Sequence, residues 1–86
     1  MTDDYVVHAS IGYDLIDAHE ELDEIMKLFV PHEKVDEGEF NSRMAHLYSH
    51  LNSAWNKRNI TESQLELADG EQLNKWTAFP TDLMPL

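Results

Sequence analysis

Cysteine is absent from this 86-residue chain, lysine and arginine together number six, and glycine and proline occur three times each. Without cysteine there is no disulfide framework and no thiolate chemistry, which suits a reducing compartment. Three scattered glycines leave no glycine-rich loop to hold phosphates. Six bases against 17 acids give a formal charge of −11. The cations that contact with nucleic acid or an anionic membrane surface requires are missing. No apolar run approaches the ~20 residues that span a bilayer. Asp3 and Asp4 stand where a secretory signal would carry positive charge ahead of an apolar stretch, so a cytoplasmic location is expected. What remains is one small domain, residues 1–86, whose 42% of hydrophobic residues suffices for a single modest core.

The charge is unevenly placed. Residues 1–24 hold eight acids (Asp3, Asp4, Asp14, Asp17, Glu20, Glu21, Asp23 and Glu24) and no base, whereas residues 40–60 hold Arg43, Lys57 and Arg58 and no acid. Both segments share a rhythm. Ile11, Leu15, Ala18, Leu22, Ile25 and Phe29 alternate in steps of four and three, as do Phe40, Met44, Leu47, Leu51, Ala54 and Arg58. This is the stripe of a helix that faces another helix. The first helix is expected over about residues 10–30, stopping at Pro31, with a start as early as residue 3 if Thr2 caps it. The second is expected over 39–59. A short link makes them an antiparallel hairpin, so the fold class is all-α.

With Leu15, Leu22, Met44 and Leu51 as the a positions of a heptad, the g positions oppose Asp14 with Lys57, Glu21 with His50 and Leu28 with Arg43. One register satisfies all three, although exposed pairs of this kind select alignment more than they stabilise it. The other flank carries Gly12, His19 and Met26 on the first helix and Asn41, Tyr48 and Trp55 on the second. Met26, Tyr48 and Trp55 are too apolar to stay wet, so a cover is expected. Thr61 and Gln64 form a capping-box pattern ahead of Leu65, Leu67 and Ala68, which predicts a short third helix broken at Asp69-Gly70. The same Asp-Gly could instead turn a β-hairpin between residues 65–67 and 73–75. From Trp76 the tail is apolar and contains Pro80 and Pro85, hence extended, with Trp76 and Phe79 folding back onto Tyr48 and Trp55 or presented to a partner. A second copy of the chain is the other possible cover, giving a homodimeric four-helix bundle.

Little in the chain points to chemistry. His46 and His50 lie four apart on a helix, half of a zinc site, and His19 with Asp23 repeats that spacing. The heptad assignment sends His46 and His19 to opposite flanks, so no metal and no cofactor is expected, with His46 and His50 as the residual candidates. The serines have no nucleophile context, and helix-surface carboxylates are ordinarily solvated charge rather than acid–base pairs. An enzyme is not expected.

The acidic segment is the distinctive feature. As a helix it would present one carboxylate per ~4 Å, near the ~3.4 Å spacing of phosphates along a DNA strand. Asp17, Glu20 and Glu24 share its outer side, and Lys27 after Asp23 is the one base spaced to neutralise it. The expectation is a binding function, an acidic interaction module for a basic protein partner. Such a module could act as an inhibitor or DNA mimic toward a protein that processes nucleic acid. The alternative is a small structural or regulatory subunit that dimerises or docks through Met26, Tyr48, Trp55, Trp76 and Phe79. A further alternative is a pH or metal sensor built on the histidines.

Overall fold

The computed structural model describes residues 8–30 and 35–84. Four helices follow one another: α1 (His8–Phe29), α2 (Glu37–Asn56), α3 (Glu62–Glu66) and α4 (Gly70–Thr77). α1 and α2 pack along each other, and α4 packs on α2. The all-α helical hairpin is therefore the architecture. A helix start at residue 3, and with it Asp3 and Asp4, lies outside the described residues.

Local chemistry explains most of the boundaries. α1 stops two residues short of Pro31, which disfavours helix in the residue before it. Lys27 in its last turn complements the negative helix end and bridges to Asp23 at 3.0 Å and Glu24 at 3.3 Å. α2 begins and ends earlier than its periodicity suggested. Asp36 is a better cap than Gly38: its carboxylate accepts from the Glu39 amide at 3.0 Å, and Glu37 and Glu39 sit in the favourable first turn. At the other end residues 57–59 are a turn, held by the Ile60 amide donating to the Lys57 carbonyl.

The Thr61 capping box forms as its pattern implies, with Thr61 accepting from the Gln64 amide and the Gln64 side chain accepting from the Thr61 amide. Asp69-Gly70 then does more than interrupt. Asp69 accepts from the Gln72 amide at 2.9 Å and caps a fourth helix, with Gly70 as its first residue. Two corrections follow. The β-hairpin alternative is not adopted, because Leu65 and Leu73 both lie in helices. Trp76 belongs to the last turn of α4 rather than to an extended tail, which starts at Ala78.

The seam between α1 and α2 differs from the one expected. The α1 residues that meet α2 are Asp14, Ala18, Glu21 and Ile25, positions g and d of the heptad, not a and d. Their partners on α2 are Arg43, Leu47, His50, Ser53 and Lys57, with Phe40 and Met44 closing the apolar end. The shift is a rotation of roughly 60° about each helix axis, small enough to stay within a stripe ≳100° wide. Ala18, Ile25 and Leu47 form the buried cluster, and Phe29 meets Phe40 edge-on at 5.1 Å. Leu15 and Leu22, the nominal a residues, remain 49% and 42% exposed.

This arrangement separates two leucine-type positions by cost. Ile25→Ala should destabilise the chain by about 2–4 kcal/mol, the range for truncating a buried aliphatic residue, whereas Leu22→Ala should cost under about 1 kcal/mol. Chemical denaturation of the two variants checks this; equal losses would restore the a/d seam.

Candidate protein-interaction surface

The hairpin has two unlike edges. On one side of the seam lie the g-position charges and the acidic outer face of α1. On the other lie Leu15, Leu22, Met26, Tyr48 and Leu51, all exposed.

The charged edge centres on two carboxylates of α1. Asp14 takes Lys57 Nζ at 2.7 Å and the Ser53 hydroxyl at 2.8 Å, with His50 Nδ1 at 3.8 Å. The Lys57 ammonium also donates to the Ser10 hydroxyl at 2.7 Å. Glu21 receives Arg43 at 3.4 Å through Oε1 and faces His46 Nδ1 at 3.2 Å through Oε2. Arg43 is shared with Glu39, and the two carboxylates raise the proton affinity of its guanidinium. Of the three predicted cross-helix pairs, Asp14 with Lys57 forms. Glu21 does not pair with His50: it meets His46 and Arg43, a contact displaced by one turn of α2, and Arg43 is held between Glu21 and Glu39.

The acidic residues therefore divide. Asp14 and Glu21 are turned into the seam and are engaged there. Asp17, Glu20, Asp23 and Glu24 line an open groove of about 530 Å³ together with Glu21, His46 and His50. Lys27 spans Asp23 and Glu24, and its own proton affinity is raised by their carboxylates. Asp17 and Glu20 have no ion pair among the described residues.

The C-terminal elements were only partly foreseen. Asn52 and Asn56, one turn apart on α2, donate to the carbonyls that end α4: Asn52 to Thr77 at 3.0 Å, Asn56 to Trp76 at 2.7 Å and to Ala78 at 2.8 Å. They supply partners that a helix C-terminus otherwise lacks. Their one sequence signal was two poor helix formers spaced by a turn in a helix interior. Trp76 is buried on this platform with the Lys57 ammonium 6.0 Å from its ring. Its recorded partners are Asn56 and Lys57 at the C-terminal end of α2. Phe79 does reach Tyr48, at 5.4 Å between centroids. The tail is then fastened by Asp82, which accepts from the Trp55 indole at 3.0 Å and from Arg58 at 2.7 Å, while the Arg58 guanidinium lies over the Trp55 ring. Tyr48, Leu51, Trp55, Phe79, Pro80 and Leu83 line an apolar groove of about 360 Å³ beside this fastening. The cover expected over the aromatic flank is thus partial, and Met26 lies beyond it.

No described helix is long and apolar enough to cross a membrane. The chain matches no protein family, no curated protein and no solved structure.

The Asp82 fastening is pH-dependent. The Trp55 and Arg58 donors hold the Asp82 carboxyl below the ordinary aspartate range. Its contribution is therefore complete above the unfolded-state value of ~3.9 and is lost as pH falls through the lower folded-state value. The Trp55 indole resonance should move toward a free-tryptophan position only below about pH 4. In Asp82→Asn that step should disappear.

Proposed function

We propose that the chain is a protein-interaction module that engages a basic partner through the outer face of α1. The observation that carries this reading is the groove in which Asp17, Glu20, Asp23 and Glu24 stand together with Lys27 as their counter-charge. A face of one sign is costly to a folded chain, because intrahelical pairing ordinarily mixes charges. It is repaid when a cationic surface docks there: attraction steers the encounter and raises the association rate, both sensitive to salt. Proteins that process nucleic acid carry such cationic surfaces, and an acidic helix of this charge density would compete with phosphate for them, as an inhibitor or DNA mimic does. Asp14 and Glu21 enter this reading as residues that hold the face in place rather than as contacts.

A second reading rests on the opposite edge. Leu15, Leu22, Met26 and Leu51 are exposed apolar residues on neighbouring helices, a pattern that suits docking to another helical surface, a second copy included.

The charge reversal Asp17→Lys, Glu20→Lys, Glu24→Lys tests the first reading. Partners captured by the native chain and released by rising salt should be lost with the triple variant, whose helical circular dichroism should be unchanged. Retention of the same partners, or salt-independent release, would refute it. For the second reading, sedimentation of Leu15→Glu, Leu22→Glu beside the native chain is decisive: a native monomer at high micromolar concentration, with no partner lost by the variant, removes it.

A further inference from the structure

The His46 and His50 rings form an arrangement that the interaction reading does not use. Their spacing of four puts both on one face of α2, and the register places that face against Asp14 and Glu21 of α1. The two Nε2 atoms are 3.2 Å apart, with ring centroids separated by 4.6 Å. His46 turns its other nitrogen to a carboxylate, Nδ1 lying 3.2 Å from Glu21 Oε2, whereas His50 Nδ1 stands 3.8 Å from Asp14 Oδ1, beyond hydrogen-bond reach. The four groups thus run carboxylate, imidazole, imidazole, carboxylate across the seam.

A neutral imidazole carries one N–H. With both rings neutral, His46 Nδ1–H donates to Glu21 and His50 Nε2–H donates to His46 Nε2, while Asp14 is held by Lys57 and Ser53. Moving the His50 proton to Nδ1 keeps the His46–Glu21 hydrogen bond and frees both Nε2 lone pairs, 3.2 Å apart. That is the disposition of metal-bound histidines, whose outer nitrogen ordinarily donates to a carboxylate. The separation also fits. Two nitrogens 3.2 Å apart and each ~2.0–2.1 Å from one ion subtend an angle of about 100°, near tetrahedral.

We infer that His46 and His50 chelate one divalent transition cation through their Nε2 atoms, with Glu21 as the outer partner of the His46 ring. Imidazole ligands select Zn²⁺, Ni²⁺, Co²⁺ or Cu²⁺ over Ca²⁺ and Mg²⁺, which prefer oxygen. Among the described residues no set of three or more His, Asp or Glu converges on one ion, so the site has two protein ligands and its other positions belong to water or to a group that a partner presents. Access is open: the His46 side chain is 59% exposed at the edge of the groove. The charges around it favour a cation, since Asp17, Glu20, Asp23 and Glu24 line the same groove. Opposing them, Lys57 is held on Asp14 and Arg43 on Glu21 and Glu39. This inference is independent of what docks on α1.

Calorimetric titration of the untagged full chain with Zn²⁺ at pH 7, repeated with Ca²⁺, is the test. One Zn²⁺ per chain should bind, Ca²⁺ should give no comparable saturation, and the Zn²⁺ affinity should fall at pH 5.5. His46→Ala removes an exposed ring and retains the fold by circular dichroism; it should weaken Zn²⁺ by more than the ~10–100-fold that losing an outer-sphere partner costs. His50→Ala should do the same, and the native chain's histidine ring protons, followed by NMR, should shift on titration. Absence of saturable Zn²⁺ binding, equal binding of Ca²⁺, or Zn²⁺ binding unchanged in His46→Ala would overturn the assignment.

Discussion

The carboxylate of Asp14 is the contact on which the alignment of the hairpin depends. It is 15% exposed and collects an ammonium, a hydroxyl and an imidazole from three successive turns of α2. Lys57, its principal partner, is itself nearly enclosed, and the Ser10 hydroxyl takes another of its protons. A charge pair so placed is not a large net source of stability, since desolvation offsets much of the attraction. Removing one member is another matter, because the survivor is left unpaired in a poorly solvated place. The pair therefore acts as a specification. It dictates which side of each helix faces the other, and the rest of the layout follows from that choice.

Periodicity located the two long helices, and the apolar stripe on each, from spacing alone. It could not locate the seam within the stripe. Ala18, Ile25, Leu47 and Ala54 are shared by the a/d and d/g solutions, and a turn of about 60° exchanges Leu15 and Leu22 for Asp14 and Glu21 without leaving the stripe. Which solution wins depends on whether the polar members find partners across the gap. Here Lys57, Arg43, His46 and Ser53 provide them. Capping residues were legible because each acts within its own turn, as at Thr61 and Gln64. Asp69 was legible as a boundary but not as the beginning of a helix, since a single Asp-Gly serves both purposes. The Asn52 and Asn56 platform was illegible for a different reason: its acceptors are backbone carbonyls some 20 residues away, and no side-chain pattern announces them.

The consequence of the d/g seam is a molecule with its surface sorted by chemistry. One edge concentrates carboxylates and the two facing imidazoles; the other is aliphatic and aromatic. The net charge of −11 is accordingly a sum of two unlike kinds of acid. Some, such as Asp14, Glu21 and Asp82, hold the chain to itself. Others, notably Asp17 and Glu20, face outward and do no internal work. The interaction reading draws on the second kind, and its plausibility rests on their concentration in one groove rather than on the size of the total.

α2 is the only described helix that touches both α1 and α4, because α1 and α4 share no packing. Among the described residues, the carbonyl clamp of Asn52 and Asn56, the Asp82 fastening and the side chains of Trp76 and Phe79 tie the C-terminal third to α2. Such a layout gives the molecule two packing units that share α2, the smaller of them C-terminal, and local opening follows divisions of this kind. Opening that unit alone uncovers the far side of α2 while the hairpin stays closed. A surface held in reserve in this way is reached by local unfolding, at a free energy below that of the whole chain.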